Sequence, residues 1–207
     1  MTSRNETQKQ TRTALLEAGV HEVLLAGIHK ASIRTISAKA GYTLGAFYSN
    51  FSSRNAFLLA VLDSIIDDLF ASLDGVIDVA LTHDIATAEQ DIAAWIRQAR
   101  QNNMLSRLLV EFTAYAGHDE AFRAEFIPYI GSWRGRIALS LDRLFKGFGL
   151  TPSLPLKTMA AAFSALWQGL TLESLLPDTE DSDRSLIMVL DLFLKSSGQD
   201  PDRSIPQ

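Results

Sequence analysis

The stretch that decides the fold covers residues 32–54 and reads SIRTISAKAGYTLGAFYSNFSSR. It predicts two short helices, over residues 33–40 and 44–50, because Ser32 and Thr43 are good N-cap residues. The glycine after the first helix can take the left-handed conformation that ends a helix and turns the chain. Two helices joined in this way can present the second one to the major groove of DNA.

The apolar residues of the two helices indicate which sides face inward. Phe47 and Phe51 lie on one face of the second helix, and Ile33 and Ile36 lie on one face of the first. We expect these faces to pack together and against the helix that precedes them. This packing leaves an outward set on the second helix: Leu44, Gly45, Ala46, Tyr48 and Ser49.

Helical spacing of apolar residues continues on both sides of this stretch, without the alternation typical of strands. A first helix is predicted from Thr7 to Ala26, and a fourth from about Arg54 towards Val79, with Ser53 as its cap. Proline inside a helix interrupts its hydrogen bonds, so Pro128 predicts a kink or break. Further helical segments are expected at about 86–101, 103–116, 119–148, 155–176 and 183–196. The predicted fold class is all-α.

Composition and charge narrow the class of protein. The 207 residues are 47% hydrophobic and include no cysteine, which excludes disulfide scaffolds and cysteine nucleophiles. No apolar run reaches the roughly 20 residues of a membrane helix, and the polar N-terminus is no secretory signal, so we expect a cytoplasmic protein. Residues 1–62 contain seven Lys/Arg and three Asp/Glu, which gives a net charge of +4. Residues 63–207 contain twelve Lys/Arg and twenty-one Asp/Glu, which gives a net charge of −9. A basic N-terminal part favours contact with phosphate there.

The same residues resemble the TetR (tetracycline-repressor-like) family of bacterial transcriptional regulators. The family pattern is T-[VI]-x-x-I-A-x-x-A-G-V-S-x-G-x-[LF]-Y-x-x-F-x-x-K-x-x-L, and the resemblance covers about residues 8–68. Arg54 stands at the usual lysine, Thr43 at the usual serine and Tyr42 at the usual valine. The matching positions are Ser32, Ile33, Ile36, Ala40, Gly41, Gly45, Phe47, Tyr48, Phe51 and Leu58.

The resemblance implies a set of DNA-binding residues. Arg34 would reach phosphate or a base edge, and Tyr48 and Arg54 would reach phosphate. Thr43 would bind phosphate at a helix N-terminus. The implied set is Arg34, Thr43, Leu44, Gly45, Ala46, Tyr48, Ser49, Asn50 and Arg54. The chain departs from the pattern at Leu44, where many members carry Lys or Arg, and at Thr35, which replaces the acid of a capping box.

The resemblance also implies the domain organisation and the function. We expect a helix-turn-helix DNA-binding domain at 8–68 (the motif itself at about 31–50), a helical ligand-binding and dimerisation domain at 69–197, and a disordered tail at 198–207. The expected function is that of a dimeric repressor. Its partners would be a second copy, a near-palindromic double-stranded operator, and a small, largely apolar ligand that releases the DNA.

Two sets of residues in the larger domain are candidates for the ligand pocket and the dimer interface. Aromatic and methionine residues at helical spacing usually form a core, but the resemblance favours a pocket lined by Trp95, Met104, Leu108, Phe112, Tyr115, Phe126, Tyr129, Trp133 and Trp167. The last helix is apolar nearly all round and needs cover on every side. The predicted interface consists of Met159, Phe163, Leu166, Leu170, Leu186, Leu190 and Phe193.

Other classes of function remain open from the sequence. One is an all-helical interaction or ligand-binding protein that does not bind DNA, and another is a small helical enzyme. The four histidines are scattered, and no hydrolase, zinc or phosphate-loop motif is present. We therefore expect no enzyme, no metal and no cofactor.

Overall fold

The computed structural model describes residues 4–101, 103–173, 182–195 and 198–199. Helices account for most of these residues, as the all-α prediction requires. In chain order they are α1 Arg4–Ala26, α2 Ile33–Lys39, α3 Leu44–Asn50, α4 Arg54–Ala80, α5 Ile85–Gln101, α6 Asn103–His118, α7 Glu120–Phe148, α8 Leu156–Glu173 and α9 Ser182–Lys195. None of the described helices is long and apolar enough to cross a membrane.

A two-residue ladder accompanies the helices. Strand β1, Leu150–Thr151, pairs antiparallel with β2, Gly198–Gln199. The disordered tail predicted for 198–207 therefore begins with two paired residues, and its other eight residues lie outside the described part of the chain. Strands this short cannot show the period-two alternation by which a sequence signals a strand.

Helix α7 contains the proline at which the sequence predicts a kink or break. The helix runs without interruption from Glu120 to Phe148, with Pro128 inside it. The break is therefore absent. A helix of 29 residues keeps enough other hydrogen bonds to continue past a proline.

Contacts divide the chain into two compact units. The head unit comprises Met1–Asp67 and Arg107–Tyr129, and the body unit comprises Asp68–Ser106 and Ile130–Gln207. The first boundary lies close to the predicted one at residue 68. The segment 107–129, which the predicted division gives to the larger domain, belongs by its contacts to the head unit.

The core of the head unit holds α2 and α3 against α1. Helix α1 packs on both, and α2 packs on α3. Phe47 is completely buried, with its ring centroid 5.4 Å from that of Phe51 and 5.0 Å from that of Phe57. Gly19 of α1 permits this close packing, because a Cβ there would lie 2.5 Å from the Phe57 ring. The inward face predicted for α3 is confirmed.

The core of the body unit is a separate cluster. Ile77, Met159 and Leu186 are completely buried at its centre, and Phe145 is 1% exposed. Helix α9 packs against α5 and α8. The buried side of α9 is therefore covered from within the chain itself.

Candidate nucleic-acid interface

Helix α2 begins at the cap that the sequence predicts. Ser32 has extended backbone angles, and its Oγ accepts a hydrogen bond of 3.0 Å from the backbone N–H of Thr35. The Thr35 hydroxyl lies 2.7 Å from the same Ser32 Oγ. Thr35 thus gives a hydroxyl contact at the position where a capping box would have an acid, and Ser32 caps the helix without it.

The turn between α2 and α3 has the hydrogen bonds of a Schellman motif. The Tyr42 N–H donates to the Ser37 carbonyl over 2.9 Å, and the Gly41 N–H donates to that of Ala38 over 3.1 Å. Gly41 has a φ of +77°. A side chain at this position would be strained, so glycine is what allows the chain to turn here.

The first turns of helix α3 expose both polar and apolar side chains. Thr43 Oγ1 accepts a hydrogen bond of 3.2 Å from the Ala46 N–H and caps the helix. Leu44 is 42% exposed and Tyr48 is 58% exposed. Both side chains are therefore accessible on the outer face of α3.

The structure brings eight of the nine predicted DNA-binding residues to this helix-turn-helix. The exposed members are Arg34, Thr43, Leu44, Gly45, Tyr48 and Ser49, whereas Ala46 and Asn50 are half-buried. The Ser49 hydroxyl and Asn50 Nδ2 each donate to the Ala46 carbonyl over 2.8 Å. These two side chains are folded back on α3.

Contacts of two basic side chains, Arg12 and Lys39, join the short helices to α1. Arg12 Nη1 donates to the Asn50 carbonyl over 3.2 Å, and its guanidinium lies 4.4 Å from the centre of the Phe51 ring. Lys39 at the end of α2 pairs with Glu22, whose carboxylate is buried. The angle of α3 is therefore set by α1 as well as by the turn.

Arg54, which is predicted to reach a phosphate, lies at the start of α4 and makes contacts within the head unit. Its Nη2 donates to the backbone carbonyls of Ile28 and Ala31, and its Nη1 donates to Tyr115 Oη over 2.8 Å. The guanidinium also lies 5.2 Å from the centre of the Tyr115 ring. These bonds tie Arg54 to the loop after α1 and to α6.

This contact belongs to a polar network that motif reading missed. Glu111 Oε2 accepts from the Ile28 N–H over 3.1 Å, and the Tyr115 hydroxyl donates to Asp119 Oδ2 over 2.9 Å. Burial, helped by the bond to Asp119, raises the pKa of Tyr115. The pKa of Asp119 is lowered, mainly because it accepts the Phe122 N–H at the start of α7. The network ties the loop before α2 to α6, and these partners are too far apart in sequence for a local pattern to indicate them.

The predicted aromatic pocket divides between the two units. Trp95, Trp133 and Trp167 line an apolar cavity of about 70 Å³ in the body unit. Phe112, Phe122 and Phe126 form a ring cluster in the head unit instead, with centroids 5.4–6.4 Å apart. Of the predicted set, the residues that do not line this cavity are Met104, Leu108, Phe112, Tyr115, Phe126 and Tyr129. Helical spacing showed that they face inward but not which core they join.

The cavity also has a lining that the prediction did not include. It comes from apolar residues of α4, α5, α7, α8 and α9, together with two serines of α7 and α8. The additional residues include Leu69, Phe70, Leu73, Ile137, Ser140 and Ser164. Their spacing on each helix follows one helical face, which is the signal that could have found them.

The predicted dimer-interface residues are largely internal. Met159, Leu170, Leu186 and Leu190 are at most 6% exposed within the single chain. Phe163, Leu166 and Phe193 are half-buried. The first four belong to the hydrophobic core of the body unit, where side chains of their own chain cover them.

The titratable side chains give no sign of a metal centre. Within the described ranges, no three His, Asp or Glu side chains are placed to hold a metal ion. His83 Nδ1 lies 2.9 Å from Oδ2 of Asp91, which lies within α5 of the body unit. That pair is a surface contact between a loop and a helix.

Comparison with protein families places both parts of the chain. Residues 15–61 match the family described as bacterial regulatory proteins of the tetR family. Residues 84–195, more than half of the chain, match the family described as the C-terminal part of a BetI-type transcriptional repressor. Comparison with curated proteins gave no match.

Solved structures share the fold at low sequence identity. A transcriptional regulator from Rhodococcus sp. Rha1 is 20% identical, with a TM-score of 0.65 over 94% of this chain and 99% of that one. A TetR transcription regulator from Haloarcula marismortui is 15% identical, with a TM-score of 0.66 over 91% and 98%. The multidrug binding protein EbrR, complexed with imidazole, is 22% identical, with a TM-score of 0.65 over 88% and 89%. The family matches and the capped helix-turn-helix agree, and the chain belongs to the TetR family of DNA-binding bacterial transcriptional regulators.

Proposed function

We propose that this protein is a homodimeric repressor, acting in the cytoplasm, that leaves a near-palindromic operator when a small, largely apolar molecule binds it. The observation that supports DNA binding is the exposed face of α3, which the Thr43 cap and the turn at Gly41 hold in place. We keep residues 8–68 as the DNA-binding domain and 69–197 as the ligand-binding and dimerisation domain.

For DNA reading, we assign base contacts to the first turns of α3. Leu44 can contact a thymine methyl group, and the Tyr48 hydroxyl can donate to a phosphate. Thr43 stands at the helix N-terminus, where its hydroxyl and the helix dipole favour a phosphate oxygen. Arg34 on α2 is exposed and supplies a positive charge beside them. Arg54 is left out of the set because of its internal contacts.

For dimerisation, we assign the outward faces of α8 and α9. Ala162, Ala165 and Gly169 are exposed on α8, and a Cβ on Gly169 would meet nothing within 4 Å. Leu172 on α8 is 54% exposed, and Met188 and Leu192 on α9 are each 56% exposed. Small residues let helices approach closely, and the leucines and methionine supply apolar area to bury. A two-fold axis through this surface would pair two recognition helices with two half-sites.

For ligand binding, we assign the cavity of the body unit. It has a volume of about 70 Å³ and is lined by apolar side chains of α4, α5, α7, α8 and α9. That is several times the space one water molecule needs. An apolar enclosure with few polar groups is typical of a small-molecule site.

A gel-shift assay with the promoter DNA flanking the protein's own gene tests the proposal. We expect a shifted complex with a symmetric footprint, and transcription from that promoter should rise when the gene is deleted. Leu44→Asp should abolish the shift, because a carboxylate would face the phosphates. Leu25→Asp is the matched control, since Leu25 is also exposed on the head unit, at 71%, but lies outside the helix-turn-helix.

The alternative is an all-helical interaction or ligand-binding protein that does not act on DNA. It would show no symmetric footprint at any concentration, or equal binding of the wild type and Leu44→Asp. A monomer by sedimentation at micromolar concentration would contradict the dimer. Lower expression on gene deletion would contradict the repressor assignment while leaving DNA binding in place.

A further inference from the structure

Arg12 of α1 is held at the C-terminal end of α3. Its Nη1 donates to the Asn50 carbonyl over 3.2 Å, and its guanidinium lies 4.4 Å from the centre of the Phe51 ring. Asn50 is the last residue of α3, so its carbonyl has no partner within the helix. The carbonyl end of a helix carries a partial negative charge, which favours a cation at this place.

The aromatic core of the head unit fixes the ring against which this guanidinium lies. Phe51 is 4% exposed, and its ring lies 5.4 Å from that of Phe47, which is completely buried. Arg12 itself is exposed. Its charge is therefore accessible while its side chain is held in place, so less conformational freedom is lost when it binds a further group.

These contacts use only part of what a guanidinium offers. The group is planar and always charged, and its several N–H donors form a fork that matches the oxygens of a phosphate. Among the residues that the structure describes, Arg12 makes the two contacts given above and no ion pair. Lys39, by contrast, is paired with the Glu22 carboxylate. Arg12 thus keeps a positive charge without a counter-ion beside α3, together with donors that have no protein acceptor.

The length of α3 places this charge near the edge of the major groove. The seven residues of α3 span about 10 Å along the helix axis, and the major groove of B-DNA is about 12 Å wide. When the first turns of α3 meet the base edges, its C-terminal end therefore comes close to one of the two phosphate strands. The guanidinium of Arg12 lies at that end.

We infer that Arg12 binds a DNA phosphate at the C-terminal end of α3. One donor stays on the Asn50 carbonyl and the others bind the phosphate oxygens, so a single side chain links the end of α3 to the DNA backbone. This inference rests on the proposed function, in which the exposed face of α3 meets DNA. It adds a phosphate contact from α1 to a set that otherwise comes from α2, α3 and the cap of α3.

The first test measures binding to the promoter DNA flanking the protein's own gene at several salt concentrations. Arg12→Met should weaken binding about tenfold at physiological salt, and should lower the slope of log K against log salt concentration by about 0.9 for each protomer on the DNA. Arg12→Lys keeps a positive charge near the phosphate, so its slope should equal that of the wild type.

Arg107→Met is the matched control. Arg107 is also an exposed arginine of the head unit, and its Nη2 also donates to a backbone carbonyl, that of Leu24, over 3.4 Å. Its replacement should change neither the affinity nor the salt slope. An unchanged slope in Arg12→Met would overturn the inference. A slope lowered equally in Arg12→Lys would also overturn it, because the lost bond to Asn50 would then have displaced α3.

A change on the DNA side locates the phosphate. Each phosphate of the promoter fragment is replaced in turn by an uncharged methylphosphonate. At one position in each half-site, the replacement should weaken binding of the wild type about tenfold and that of Arg12→Met by less than about twofold. If no position distinguishes the two proteins while the wild type binds normally, the inference alone is rejected. If the wild type gives no shifted complex with the unmodified fragment, the proposed function is rejected.

Discussion

Replacing Arg54 by methionine tests whether this residue holds the head unit together or clamps DNA. The substitution keeps an unbranched stem and removes the donors to Ile28 O, Ala31 O and Tyr115 Oη. A hydrogen bond to a charged group contributes about 1.5–3 kcal/mol, and bonds that share one half-buried guanidinium are not additive. We therefore expect Arg54→Met to lower the free energy of unfolding by about 2–3 kcal/mol.

The assay combines urea unfolding, followed by circular dichroism, with DNA binding at several salt concentrations. Each phosphate contact contributes about 0.9 to the slope of log K against log salt concentration. Because the Arg54 donors are used within the head unit, the slope should not change in Arg54→Met. Arg34→Met is the matched control: Arg34 is exposed beside α3, so the slope should fall by about 0.9 and the free energy of unfolding should change by less than about 0.5 kcal/mol.

The opposite pattern would refute the structural role. If Arg54→Met lowered the salt slope by about 0.9 and left the unfolding curve unchanged, Arg54 would have to leave its internal partners to bind a phosphate. The sequence resemblance, which places Arg54 at the usual lysine of the family pattern, predicts this outcome. The experiment thus decides between the geometry of the free protein and the motif.

The other predictions concern the recognition helix, the dimer surface and acid stability. Thr43→Ala should lower the free energy of unfolding by about 1 kcal/mol, because the N-cap of α3 is lost. Leu44→Ala should leave the free energy of unfolding unchanged, and should change the relative binding of operators that differ by one base by about 1–3 kcal/mol. Leu172→Asp should give a monomer in sedimentation analysis, while Leu139→Asp, on an exposed site of α7 with 66% exposure, should stay dimeric. The pKa of Asp119 is lower in the folded protein than its value of about 4 in the unfolded chain. Its ionised carboxylate therefore stabilises the fold fully above about pH 4, and this contribution is lost as the pH falls through the pKa of the folded state. Asp119→Asn should therefore flatten the loss of stability below about pH 4 in an acid titration, and an unchanged titration curve would contradict the assignment.

The head of the fold was predictable because its signals are local. Ser32 and Thr43 each cap the helix that the sequence predicts, and the bounds Leu44–Asn50 of α3 agree with the prediction. Gly41 takes the positive φ that the turn needs. Each of these features depends on residues no more than about four positions apart, so the sequence shows them directly.

The choice of face in the body unit was not predictable in the same way. Leu186, Leu190 and Met188 all lie on α9, yet the first two are buried and Met188 is 56% exposed. A helix that is apolar nearly all round has no polar side to mark the outside, so its sequence does not show which side meets its own chain. Phe112 and Trp133 are both aromatic, so the sequence predicts one pocket for them, although they belong to different units of the structure.

Helix α8 joins the two proposed sites of the body unit. Ser164 and Trp167 face the cavity, and Ala165, Gly169 and Leu172 are exposed on the other side of the same helix. A helix moves as a rigid element, so a ligand that displaces Trp167 would also displace the surface proposed to meet the second subunit. The ligand can then change operator affinity only as far as it binds one dimer geometry more tightly than the other. On this view a ligand in the cavity would act in induction through the difference between its affinities for the two positions of α8, and not through its total affinity.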